Sequence, residues 1–261
     1  NEQQPGVYST QWDGRKSNGE QAAVGGYYLQ AVHVGSTVRY YRQSWVQVSV
    51  DASAIVASAN PFIPTGVNST VITVNAAPGQ TGLKLEFSGP ASWQDSAGSS
   101  YLPLTETSTP GVYTAEWNAV SHSQQYVNGQ YQYLPFILRD GTYTIYVLDD
   151  AGNQSTTTGS VTIAGVNSIT TAPTPFTPGG ANFATVTAKA AFGLSLETRI
   201  FNTVTEALVT TLPMMEASGT YTAEWDGKDR YGNFAGANSY RFEMYHAGST
   251  VRYYRTRNLV V

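Results

Sequence analysis

The sequence predicts an all-β protein of tandem β-sandwich modules in a linear array, with the first module incomplete. Three observations carry this. The octet GSTVRYYR stands twice, at 35–42 and 248–255. Trp12, Trp117 and Trp225 each end a G-x-Y-x-x-x-W phrase, so the phrase recurs at near-equal intervals along the chain. Short β-branched and aromatic runs alternate with Gly-, Asn- and Pro-marked turns, and no helical period with caps persists.

The first module spans 1–52. Its GVYSTQWDGRKSNGEQAAVGGYYLQAVHV (6–34) aligns with GTYTAEWDGKDRYGNFAGANSYRFEMYHA (219–247), and Tyr27 stands at the same offset from Trp12 as Tyr240 from Trp225. Gly-Ser at 35–36 and at 248–249 signals a two-residue hairpin turn with Gly at the positive-φ position. This module supplies rear strands only, over 27–34 and 38–50. Apolar residues such as Tyr27 and Leu29 then need a cover: an upstream segment, a strand from a neighbouring subunit, or the second module. A longer parent chain is the favoured source, because the third module closes at Val261 without a spare half.

The second module, 53–165, is complete. ANPFIPTGVNSTVITVNAA (59–77) echoes PTPFTPGGANFATVTAKAA (173–191), and 71–74 and 142–148 carry strand-forming residues. The interval from Trp117 to Tyr143 is longer than its counterparts in the other modules. The difference places an 11-residue insertion within 118–138, read as an uncharged, aromatic loop. The third module, 166–261, is also complete: 185–188 alternate in the same way, and Tyr240, Phe242 and Met244 fall on one strand face, with Arg241, Glu243 and Tyr245 on the other. Each complete module is expected to close its own core. The junction is expected at 164–173, where Gly165, Pro173 and Pro175 interrupt the strand pattern. About seven short strands per ~100 residues, with turns every 8–12, read as an Ig-like sandwich.

N-P-F-x-P, then G-x-Y-x-x-x-W-D-G-x-D-x-x-G, then a Tyr-rich strand, resembles the Ig-like module of the flagellar hook-capping protein, which recurs in repeats of secreted bacterial proteins. TPFTP (174–178) and WDGKDRYGN (225–233) of the third module match best. The first module has Lys16 where the motif expects Asp, and in the second Asn118 replaces the Asp and the Gly is lost. The resemblance implies fold rather than activity.

Composition narrows the function. Charged residues are 12% of 261, the formal net charge is −4, and the basic residues are scattered, so neither nucleic acid nor an anionic membrane is expected as a partner. No apolar run reaches bilayer-spanning length. Cysteine is absent, which removes disulfides, thiolate metal sites and a cysteine nucleophile. NEQQPG at the start carries no leader pattern, so any export signal is expected to have been removed or left out.

No G-x-S-x-G elbow, phosphate loop or dinucleotide fingerprint occurs, and the 18 acids single out no catalytic pair, so no enzyme and no catalytic residue is expected. Asp226, Asp229, Asp149 and Asp150 are weak metal candidates. Oxygen ligands near a Gly turn suit calcium, yet lone Asp residues also cap their own turns, and caps are expected here, with no cofactor. The interface candidates are Trp93 and the insertion's Tyr126, Tyr131 and Tyr133, which do not recur between modules, together with Tyr27, Leu29, Arg39, Tyr41, Arg252 and Tyr254. Exposed aromatics suit a protein interface or stacking on a surface glycan. The expected function is a non-catalytic structural segment of an extracellular filament, surface layer or adhesive stalk, partnered by copies of itself or a longer parent chain. The alternatives are an accessory sorting region of a secreted enzyme and a carbohydrate-binding module.

Overall fold

The computed structural model describes residues 2–5, 7–19, 22, 25–127 and 130–261; the side chains of 2–4, 41–43, 47 and 125–127 also lie outside the description. The chain is all-β among these residues. Strands β1 (Glu2–Gln4) and β2 (Val7–Tyr8) pair with each other, as do β3 (Gly25–Val32) and β4 (Arg39–Val48).

The middle sandwich follows: β5 (Ala52–Ala57), β6 (Thr70–Ala76), β7 (Lys84–Ser88), β8 (Tyr101–Pro103), β9 (Thr105–Glu106), β10 (Val112–Trp117), β11 (Val120–Val127), β12 (Gln130–Ile137), β13 (Gly141–Leu148) and β14 (Gly159–Ile163). Sheet β5-β6-β10-β9 packs on sheet β14-β13-β7-β8. The period-2 burial of β6 and β10 turns Ile72, Val74, Tyr113 and Trp117 into the core. Phe87 stacks flat on Trp117 at 4.3 Å, and Tyr143 meets the same indole edge-on at 6.0 Å.

The C-terminal sandwich repeats the plan with β15 (Val166–Ala172), β16 (Ala184–Ala190), β17 (Leu196–Asn202), β18 (Leu208–Pro213), β19 (Met215–Ala217), β20 (Thr220–Trp225), β21 (Ser239–His246) and β22 (Arg252–Val260). The order β15-β16-β20-β19 against β22-β21-β17-β18 is the Ig-like arrangement of two antiparallel sheets. Both sandwiches carry the tyrosine corner of that fold. Tyr143 donates to the Arg139 carbonyl and Tyr240 to that of Gly236, the same short step upstream in each case. Phe62 and Phe176 of the N-P-F and T-P-F phrases are buried at corresponding places in the two cores.

One expectation narrows and another changes. Only Ala164 and Gly165 of the stretch 164–173 separate the two sandwiches, because Val166–Ala172 is already a strand paired with β16. The insertion is not a loop. It is the β11–β12 hairpin, and its base joins the next sandwich: β12 runs parallel to β22, with Phe136 opposite Arg252 and Ile137 opposite Tyr253. One six-stranded sheet, β11-β12-β22-β21-β17-β18, therefore crosses from one sandwich to the other. Val120 and Ile137 pack with the C-terminal core, while their chain neighbours Ala119, Phe136 and Leu138 belong to the middle one. The two cores stay distinct, but the insertion contributes to both.

Candidate interaction surfaces

The Trp-turn loops are built alike. The residue after each Trp accepts, through its side-chain oxygen, the N–H two positions on: Asp13 from Arg15, Asn118 from Val120, Asp226 from Lys228, at 2.9–3.0 Å. Asn118 serves because an amide oxygen accepts as a carboxylate does. The third loop position needs a positive φ: Gly227 has φ 81, and a Cβ there would run into Pro178. Ala119 occupies the same position with φ 56. In the first and third loops the indole N–H donates to a loop carbonyl, Trp12 to Arg15 and Trp225 to Lys228, whereas Trp117 Nε1 is buried without a partner. The altered middle loop no longer brings a carbonyl to it.

The acidic candidates are bound up in these and similar turns. Asp229 accepts the N–H groups of Tyr231 and Asn233, and the Asn233 N–H above all holds its carboxyl below the usual range. Asp149 takes the N–H and Nδ2 of Asn153. Asp226 meets Lys228 Nζ at 3.3 Å, and Asp150 lies exposed over Gly82. Among the described residues no three of His, Cys, Asp or Glu gather in a way that could hold a metal ion.

Trp93 is a correction. It is 5% exposed, donates its indole N–H to the Val120 carbonyl at 2.9 Å and packs edge-on to Phe87, so it anchors the insertion instead of presenting a ring to a partner. Tyr131 and Tyr133 of the insertion are exposed, and Tyr126 pairs across the hairpin with Tyr131, its side chain lying outside the described residues. Tyr254 is exposed beside Phe136. Arg252 is half-buried, with its guanidinium 5.8 Å from the Phe136 ring centre and 3.9 Å from Glu243. These two therefore line the joint more than an open face. A groove of about 420 Å³ runs there between Ser123, Phe136, Arg252 and Tyr254.

The joint contains residues the sequence does not single out. Tyr253 is buried and donates its hydroxyl to the Pro64 carbonyl, far upstream in the chain, at 2.9 Å. Burial raises its pKa. Asp140 accepts the Gly165 N–H, and desolvation raises its carboxyl above the usual range. Gly66 lies against Ser249 and Val251. The turn of the second octet is thus wedged against the middle sandwich.

The first octet lies in a different setting. Locally the two copies match: Ser36 and Ser249 donate N–H bonds to His33 and His246 at 2.9 Å, and their hydroxyls accept from Val38 and Val251 at 3.0 Å. Trp12 meets Tyr27 at 5.0 Å as Trp225 meets Tyr240 at 5.3 Å. Burial is where they part. Trp12, Leu29 and Tyr40 are 39%, 46% and 58% exposed, against 1%, 0% and 1% for Trp225, Phe242 and Tyr253. Tyr27 is half-buried, Arg39 exposed, and the Tyr41 side chain lies outside the described residues. On the opposite face Tyr28 and Trp45 form an exposed ring pair. Among the described residues strand β3 pairs with β4 alone, whereas β21 is flanked by both β22 and β17. Apart from Trp12 on Tyr27, both faces of the hairpin are thus largely exposed, and among the described residues no second strand pairs with β3.

No family model matches the chain, and neither does any curated protein. Among solved structures it is similar to bovine butyrophilin, at 7% identity and a TM-score of 0.25, over 79% of this chain and 96% of that one. A chimeric titin Z1Z2 tandem aligns at 9% identity and a TM-score of 0.22, over 79% and 96% of the two chains. Domains 4–9 of the surface layer protein SbsC align at 10% and 0.23, over 93% and 36%.

Proposed function

We propose that this chain is a non-catalytic structural segment of an extracellular filament, surface layer or adhesive stalk, built to keep its Ig-like modules at a fixed angle. The observation that carries the reading is the joint. A sheet shared by two sandwiches, with Val120 and Ile137 lent by one to the core of the other, resists the bending that a simple linker allows. A repeat held under tension gains from such coupling. Asp149, Asp226 and Asp229 serve as turn caps, which supports the same reading. Rotary-shadowed electron microscopy and small-angle scattering on the purified chain test it. A rod with one preferred inter-module angle, forming longer assemblies as concentration rises, is the expected result. A broad distribution of angles in a chain that stays monomeric would remove the reading.

Exposed Tyr131 and Tyr133, two positions apart on β12, favour a second reading, a glycan-binding module, since exposed tyrosyl rings offer apolar area for sugar. Binding on a glycan array that is lost in Y131A and Y133A separates it from the first.

A further inference from the structure

We propose that the β3–β4 hairpin of one molecule docks on the middle sandwich of a second copy, at the groove between edge strands β5 and β14. The proposal rests on the filament reading and names its contact.

The hairpin has the features of half an interface. Its outer strand, GGYYLQAV, carries neither charge nor proline, the devices that normally block edge pairing. The C-terminal copy shows the equivalent positions covered, with Tyr253 and Phe242 under a second sheet and β21 extended by β17 along nearly its whole length.

Charge chooses the occupant. The hairpin, 25–48, holds Arg39 and Arg42 and no acid. Residues 49–165 hold eight acids and two bases, a net −6, while 166–261 hold seven acids and eight bases, a net +1. A hairpin-to-hairpin pair sets like charges together, and the C-terminal sandwich offers no attraction. The middle sandwich as a whole is the complement; of its exposed acids Asp51 directly precedes β5. Area points the same way. Trp12, Leu29 and Tyr40 together leave roughly 300 Å² uncovered relative to their C-terminal counterparts, taking about 150–250 Å² per aromatic side chain. Two such faces in mutual contact fall short of the ~1,200 Å² of a stable interface, so the partner must take the strand edge and the Tyr28–Trp45 face as well.

The middle sandwich has a place for this. Strands β5 and β14 end its two sheets and flank a groove of about 540 Å³ lined by Ile55, Val56, Ala57, Thr144 and Gly159, with Val56 exposed. With Asn60, Thr158 and Ser160 the lining is uncharged and half polar, and Val56 is its exposed apolar point for the hairpin face. A contact between one end of a molecule and the body of the next is heterologous and does not close on itself, so it propagates.

The test places photo-reactive p-benzoylphenylalanine at position 40 in the full chain and mixes unlabelled with 15N-labelled protein, so that inter-copy products are recognised by mass. Cross-links from position 40 to 52–57 or 159–163 of the other isotopic form are expected, weakening as salt is raised. L29D, outside both cores, is expected to raise the concentration needed for assembly at least tenfold with the thermal transition unchanged. Cross-links to any other segment, or assembly without inter-copy cross-links, overturn the docking and leave the filament reading standing. A chain that stays monomeric at every concentration removes both.

Discussion

Ile137→Ala is the sharpest probe of the joint. By sequence this residue belongs to the insertion of the middle module, yet it is fully buried and packs with the C-terminal core beside Tyr253. Removing its side-chain carbons costs the lost transfer energy and leaves a cavity, about 2–5 kcal/mol for a buried Ile. In a ~100-residue sandwich each kcal/mol moves the midpoint by roughly 4–8 °C, so even the low end lowers it by about 10 °C. The decisive readout is where the loss falls. Native-state hydrogen exchange should show faster opening of Ser239–His246 in the C-terminal sandwich, with Lys84–Ser88 of the middle sandwich less affected. If I137A loosens only the middle sandwich, the insertion is not part of the neighbouring core and the argument for a rigid joint fails.

Three further outcomes are expected. Trp93→Phe leaves the buried Val120 carbonyl without its donor, a loss of about 1–3 kcal/mol, seen as a lower urea midpoint at unchanged m-value. Burial raises the phenol pKa values of Tyr143, Tyr245 and Tyr253. The stability they contribute is therefore whole below the unfolded value of about 10 and lost as pH climbs above it, and ultraviolet absorbance of the phenolate should show these groups ionising only with unfolding. Glu106 and Asp229 are held low chiefly by backbone N–H groups of Gly111 and Asn233, and Glu206 by Arg241. Their contribution is present above pH ~4 and is lost as pH falls through the lower folded values; D229A should make the acid limb of a stability–pH curve shallower, and an unaltered limb would count against the capping role.

The repeats make the sandwiches readable from sequence. A Trp that recurs with a capped turn, a Tyr at a fixed offset after it and a Gly-Ser turn are local patterns, and the structure forms them in the same way wherever they occur. The joint is not readable, because β12 and β22 are parallel partners far apart in the chain and nothing in either strand marks the other. Trp93 misleads for a related reason. Its absence from the other modules suggests a surface role, but it is needed only where an insertion must be held down. The charge contrast behind the hairpin's proposed partner emerges only when charges are counted between structural boundaries.

The two settings of the octet also bear on how the chain reaches its fold. Among residues 1–261 the C-terminal front half, β15 to β18, faces two rear hairpins that share the octet. Closing onto β21 spans the interval from Pro213 to Ser239, and closing onto the end of β4 spans that from Val48 to Val166. The longer loop costs only about 1.3 kcal/mol more in closure entropy, close to tenfold. The rest of the discrimination falls to side chains, with Phe242 and Met244 filling space that Leu29 and Ala31 would leave vacant. During refolding the N-terminal hairpin is therefore a built-in competitor for the last sandwich.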